Sequence, residues 1–85
     1  MHLEVITPDK KIFEGEVVSA AFPGSLGSFE VLHNHAPIIS SLDKGELRIK
    51  TNDGTRIFDI EGGVVEVLNN KIIVLTEKSS PSMKK

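Results

Sequence analysis

The chain contains no cysteine, no tryptophan and no tyrosine, and only four phenylalanines stand in for an aromatic core. Without cysteine, neither a disulfide scaffold nor a thiolate zinc site can hold it together. Helical spacing is also missing, because no window longer than ten residues carries apolar residues at i, i+3, i+4 and i+7. The longest uninterrupted aliphatic run, Ile72 to Leu75, is far too short to span a bilayer. Charge of one sign is absent as well: the formal net charge is −2 and the pI about 5.9. Such a balance gives no support to nucleic-acid binding or to an anionic membrane surface. The opening residues Met1 to Val5 already read as strand, so no signal or transit peptide is expected. An intracellular soluble chain is the expectation.

What remains is a small domain. Its 85 residues are 39% hydrophobic, and a chain of this size buries only about 60–65% of its unfolded surface. The core is thin, and a permanent partner would add to its stability. The period is two nearly everywhere. Leu3 to Ile6 reads as a strand, closed by a turn at Thr7-Pro8-Asp9-Lys10. Ile12 to Phe22 reads as a longer strand, with a bulge or bend at Gly15. Ser28 to Leu32 is short, and Pro37 makes His33 to Pro37 an irregular corner. Ile38 to Leu42 continues as strand, Asp43-Lys44-Gly45 turns, and Glu46 to Thr51 follows. Short strands between regular turn signals predict an all-β fold, an antiparallel β-sandwich or flattened barrel of two packed sheets.

Two hairpins are predicted to the residue. A turn at Asp53-Gly54 sets Ile49 opposite Phe58 and Leu47 opposite Ile60 on an apolar face. Its other, wet face pairs Arg48 with Asp59. A turn at Asn69-Asn70 sets Val67 opposite Ile72 and Val65 opposite Val74. The eight apolar partners of these pairs are the predicted core. The second hairpin's other face holds Val64, Leu68, Ile73 and Leu75, with only Glu66 and Lys71 charged. A half-apolar sheet face needs a cover. That cover is either the protein's own loop or second sheet, or another protein.

Chemistry is sparse. His33 and His35, at i and i+2, share a face if the segment is a strand, and His2 or Glu30 could complete a metal site. The corner before Pro37 argues against the alternation this needs. Gly24-x-x-Gly27 lacks the lysine and helix of a phosphate loop. No serine sits in a nucleophile elbow, and Glu14 and Glu16 read as a solvated strand face. No enzyme, cofactor or small-molecule substrate emerges. Two classes stay open: an interaction subunit, or a free-standing β-sandwich that binds a metal or small ligand at the His33/His35 corner.

A set of ordered motifs bears on this choice. Thr7-Pro8-Asp9 and Ile12-Phe13-Glu14-Gly15-Glu16-Val17 are followed by Gly24, Gly27 and His35-Ala36-Pro37. Lys44-Gly45, Leu47-Arg48-Ile49 and Gly62-Gly63-Val64-Val65-Glu66-Val67 come after. In this order the chain resembles the epsilon subunit of F-type ATP synthases from about Leu3 to Thr76. Family members often carry Pro-Gly before the histidine and Gly-Glu-Leu-Gly in the preceding strand. Here those positions are His33-Asn34 and Gly27-Ser28-Phe29-Glu30.

The resemblance implies a non-catalytic central-stalk subunit that links the gamma subunit to the c-ring and couples proton-driven rotation to ATP synthesis. It implies a peripheral place on the cytoplasmic face of a bacterial membrane, without insertion. Val64, Leu68, Ile73 and Leu75 would then pack on gamma, and Ser28, Glu30, His35, Ala36 and Pro37 would lie near gamma's foot and the c-ring. Residues 1–76 form the epsilon-type β-sandwich in this reading, and 77–85 a polar disordered tail. Family members usually continue into a helical hairpin that can inhibit ATP hydrolysis and in some members binds ATP. The sequence stops before it, which fits either a naturally short form or a chain cut at that point. Lacking a phosphate loop or an anion-binding helix terminus, it should bind no ATP. A calorimetric titration showing saturable binding at micromolar ATP would contradict that expectation.

Overall fold

A computed structural model of the chain describes residues 1–81. Eight strands follow one another: β1 (His2–Ile6), β2 (Lys11–Glu16), β3 (Ser19–Phe22), β4 (Phe29–Val31), β5 (Ile38–Thr51), β6 (Gly54–Leu68), β7 (Lys71–Leu75) and β8 (Ser79–Pro81). They pair in the order β2-β1-β7-β6-β5-β3-β4, with β8 on β6. The fold is all-β, as expected, but its two layers are halves of one continuous sheet. One pair, β1 with β7, is parallel rather than antiparallel.

The layers arise because β5 and β6 are long, 14 and 15 residues, and bend together. Their ladder is regular from Ile38↔Val67 to Leu42↔Gly63, skips one position, and resumes at Lys44↔Glu61. At the skip Gly62 and Gly63 take φ of 101° and 144°, a region that side-chain-bearing residues rarely enter. A Cβ on Gly63 would collide with the carbonyl oxygen of Leu75. The Thr76 hydroxyl donates to the Gly62 carbonyl at 2.5 Å and fixes the bend from outside the ladder. Along β6, β7 pairs with Val64 to Leu68 on one side of the bend, and β8 with Phe58 to Ile60 on the other. The predicted turn at Asp43-Lys44-Gly45 is absent: these residues continue β5 through the bend. Asp43 is held there by its N–H donating to Pro23 O at 2.8 Å and by the Ser25 hydroxyl at 2.9 Å.

A second layer change separates β2 from β3. The Val17 N–H donates to Met1 O at 2.8 Å, and the next N–H, of Val18, to Lys50 O at 2.7 Å. The predicted strand over Ile12 to Phe22 is therefore two strands in different layers. Gly15 is not the break; it pairs regularly with Leu3, and the irregularity lies between Val5 and Ile6 of β1.

Both layers empty their inner faces into one core. Leu3, Val5, Val65, Val67, Ile72 and Val74 meet Ala20, Phe22, Val31, Leu47, Ile49, Phe58 and Ile60, all buried. All eight predicted core residues are among them. Each fully buried aliphatic side chain of this kind contributes about 1.5–3 kcal/mol. Phe13 of β2 meets Phe58 of β6 edge-on, ring centroids 6.0 Å apart, and the Arg56 guanidinium covers both rings.

The Asn69-Asn70 hairpin has the predicted register, Val65↔Val74 and Val67↔Ile72. Both asparagines have positive φ, 52° and 60°, as a mirror-image two-residue turn requires. The other hairpin differs by two residues. Its turn residues are Asn52-Asp53, closed by Thr51↔Gly54, so Leu47 faces Phe58 and Arg48 faces Ile57 rather than Asp59. The Thr51 hydroxyl accepts from the Asp53 N–H and donates to Gly54 O, and Gly54 alone takes positive φ. A side-chain-closed turn has displaced the Asp-Gly turn. A slip of two preserves the faces, so the core is unaffected.

The polar stretch from Glu77, expected to be a disordered tail, begins differently: Ser79–Pro81 adds to β6 as β8. Residues 82–85 of that expected tail lie outside the described residues. Two substitutions test the packing. Phe58→Ala should lower stability by about 3–5 kcal/mol, a fall in melting temperature of roughly 12 °C or more. Gly63→Ala should cost about 2 kcal/mol or more through the Leu75 clash and the strained φ. Thermal denaturation of either variant within a few degrees of the parent would contradict this packing.

Candidate functional site

The outer face of the layer β2-β1-β7-β6-β5 is built from the strand positions that alternate with the core. Cross-strand register arranges its side chains in three rows. One runs Glu16, His2, Lys71, Leu68; the next Glu14, Glu4, Ile73, Glu66, Ile39; the third Lys11, Ile6, Leu75, Val64, Ser41. The rows divide the face into halves of opposite character. On β7, β6 and the start of β5, Val64 (43% exposed), Leu68 (48%), Leu75 (52%) and Ile39 (73%) stand in solvent. Ile73 and Ile6 lie among them, half-buried. A groove of about 430 Å³ extends this apolar half, between Ile6-Thr7-Pro8 and Val64, Leu75 and Thr76.

The other half, on β1 and β2, is an ion-pair network. His2 Nε2 lies 3.1 Å from Glu14 Oε2 and 3.3 Å from Glu4 Oε2, and its Nδ1 3.5 Å from Glu16 Oε2. Lys11 Nζ lies 2.9 Å from Glu14 Oε1 and 3.3 Å from Glu4 Oε1, and Lys71 Nζ 3.9 Å from Glu4 Oε2. The hydrogen bond to Glu14, then that to Glu4, holds the Lys11 ammonium above its ordinary pKa. The same bond from Lys11 pulls the Glu14 carboxyl below its own. His2, Glu4 and Glu14 could by distance hold a metal ion, their ligand atoms lying within 4.8 Å of one another. Two lysine ammoniums already occupy those carboxylates, so the cluster works as a solvated ion-pair network. Glu14 and Glu16 therefore lie on an exposed strand face, as expected.

The predicted apolar residues Val64, Leu68, Ile73 and Leu75 are brought together. The predicted loop residues are not. Ser28 lines a groove with Ala21, Phe22, Pro23, Glu46 and Arg48, and Glu30 lines its neighbour with Ala21, Arg48 and Lys50. His35, Ala36 and Pro37 line a separate groove with Asn34, Asn69 and Asn70. The alternative metal or ligand site at His33 and His35 fails on geometry. The two residues sit in a turn, not a strand, with the His35 N–H donating to Leu32 O at 3.1 Å. Among the described residues no third ligand joins them; His2 lies with Glu4 and Glu14.

Sequence reasoning placed Asn70 in its turn but missed its tie to Asn34. The Asn34 N–H donates to Asn70 Oδ1 at 2.7 Å, and Asn70 Nδ2 donates to Asn34 Oδ1 at 2.9 Å. This staple ties the histidine corner to the β6–β7 hairpin. Asn34 has φ of 64°, and asparagine is the residue that most readily replaces glycine there. Ile6 and Ile39 were also missed as members of the apolar half. Their alternation with buried Val5 and with the Ile38 side was the available signal.

Comparison with known proteins agrees with this architecture. Residues 1–81 match the family described as the ATP synthase, Delta/Epsilon chain, beta-sandwich domain. The chain is 43% identical over 79 residues to the ATP synthase epsilon chain of Chlorobium limicola, covering 92% of this chain and 90% of that one. It is 40% identical over 77 residues to the ATP synthase epsilon chain of Leptospira interrogans, covering 91% of this chain but 61% of that relative. In structure it is similar to a chain of the Euglena gracilis mitochondrial ATP synthase OSCP/F1/c-ring assembly. The TM-score is 0.87 at 23% identity, covering 93% of this chain and 51% of the other, which speaks to the fold alone. A folded-over sheet with one apolar and one ion-paired half of its outer face, matched over residues 1–81, thus belongs to the ATP synthase delta/epsilon-chain family of non-catalytic subunits.

Proposed function

We propose that the chain is the epsilon-type subunit of an F-type ATP synthase central stalk. It joins the gamma subunit to the c-ring and passes proton-driven rotation between them. The observation that carries this reading is the apolar half of the outer face. Its residues Val64, Leu68, Leu75 and Ile39 lie side by side and exposed, and a contiguous apolar patch on a small soluble domain marks a protein contact. The opposite outer face is wet: Arg48 and Asp59 are exposed, and Arg48 lies 3.7 Å from Glu46. Gamma therefore docks on Val64, Leu68, Ile73 and Leu75.

Ser28 and Glu30 on one side, and His35, Ala36 and Pro37 on the other, complete the contact with gamma's foot and the c-ring. The adjoining Ser28 and Glu30 grooves and the separate His35 groove fit two partners better than one, and the Asn34–Asn70 staple supports a stiff corner for the second. Membership of the synthase entails a peripheral location at a membrane. The bacterial relatives favour the cytoplasmic face of the cell membrane. Within the described residues no helix is long and apolar enough to cross it.

Binding should concentrate in a few central residues. Ile73→Asp should therefore lose about 2–4 kcal/mol of affinity for gamma, with a smaller loss of stability because the side chain is half-buried between Glu4 and Glu66. Asp59→Lys, exposed on the opposite face and outside both grooves there, should change the affinity little and mainly through salt-screened terms. A pull-down in which Ile73→Asp retains gamma while Asp59→Lys releases it would place the partner on the opposite face.

A further inference from the structure

Glu66 stands at the centre of the apolar half. Across the strands it sits between Ile73 and Ile39, and along β6 its same-face neighbours are Val64 and Leu68. It is exposed. Each carboxylate of the neighbouring network has a cation: Lys11 and Lys71 serve Glu4, and Lys11 serves Glu14. Glu66 differs. Among the described residues no lysine, arginine or histidine lies within ion-pair distance of it, Lys71 being engaged with Glu4 instead.

In the free chain this costs nothing, because water solvates the carboxylate. A partner lying across Val64, Leu68, Ile73 and Leu75 cannot leave that water in place. Enclosing the carboxylate without a counter-charge is strongly unfavourable. A cover of purely apolar chemistry is thereby excluded. We propose that Glu66 is the residue that sets the register of the docked partner, by accepting a lysine or arginine side chain from gamma at the middle of the apolar contact. An arginine fits best, since its planar fork matches a carboxylate through two parallel bonds. The margin favours the same chemistry: Glu4, Glu14, Glu16 and Glu66 share the face with Lys11, Lys71 and the N-terminal ammonium 3.5 Å from Glu16, one cation fewer than acids. This inference rests on the reading of that face as the gamma-docking surface.

The test is the affinity of the purified full chain for the gamma subunit of the same synthase, measured by calorimetry across a series of salt concentrations. Glu66→Gln should weaken binding about thirtyfold or more and flatten its salt dependence. Glu66→Lys should weaken it further, and a matching lysine- or arginine-to-glutamate change on gamma should restore it. Melting temperatures of both variants should stay at the parent value, because the residue is exposed. If Ile73→Asp abolishes binding while Glu66→Gln binds as well as the parent or better, the face is right and the charge anchor is wrong. If neither change affects binding, the docking surface itself is elsewhere and the proposal falls with it.

Discussion

The fold depends on a place where no side chain is permitted. β6 carries two successive glycines with positive φ, and at Gly63 a Cβ would enter the carbonyl oxygen of Leu75. The close approach lets β6 change direction while its ladder to β5 loses only one step. Everything on one side of the bend then faces everything on the other, and a single sheet encloses its own core. Thr76 contributes from β7's end, donating to Gly62 where the bent ladder leaves a carbonyl to satisfy. Had β5 and β6 run straight, their inner face would be a broad apolar surface with nothing to cover it, far beyond what 85 residues could shield otherwise.

Much of this was legible in the sequence, and the parts that were not share a cause. Alternation identified the core because parity survives local error. The Asp53-Gly54 register was wrong by two, yet Leu47, Ile49, Phe58 and Ile60 stayed inside. The Asn69-Asn70 turn was read correctly because both residues tolerate positive φ and nothing nearby competes. At the other hairpin the Thr51 hydroxyl did compete, and local propensity yielded to it. Asp43-Lys44-Gly45 looks like a turn for the reasons it makes a good bend. Whether such a segment reverses the chain or only deflects it depends on Pro23 and Ser25, some twenty residues away. The parallel β1–β7 pair and the layer change at Val17-Val18 are long-range choices that no short window carries.

The candidate surface was half legible for a related reason. One hairpin's outward residues could be read from its turn, which gave Val64, Leu68, Ile73 and Leu75. Their neighbours Ile6 and Ile39 belong to strands that arrive from elsewhere in the chain, so only the strand order reveals them. The same holds for the ion-pair network. Glu4, Lys11, Glu14 and Lys71 are scattered in sequence and meet because β1 lies between β2 and β7. Spacing suggested a histidine pair at His33 and His35, where the backbone turns and separates them from other ligands. The histidine that does meet carboxylates is His2.

The brevity of the outermost strands constrains how the domain can meet other molecules. β4 and β8 have three residues each, β2 carries Lys11, Glu14 and Glu16, and the free side of β5's first half is engaged by Ser25, whose N–H donates to Ser41 O. β4 and β8 are too short to template a foreign strand, and the charges Lys11, Glu14 and Glu16 guard the open edge of the longer β2. Association must therefore be read out through side chains rather than through main-chain pairing, and main-chain pairing is indifferent to sequence. A rotor component built this way can be held by the side chains of one chosen neighbour without recruiting other chains by strand addition.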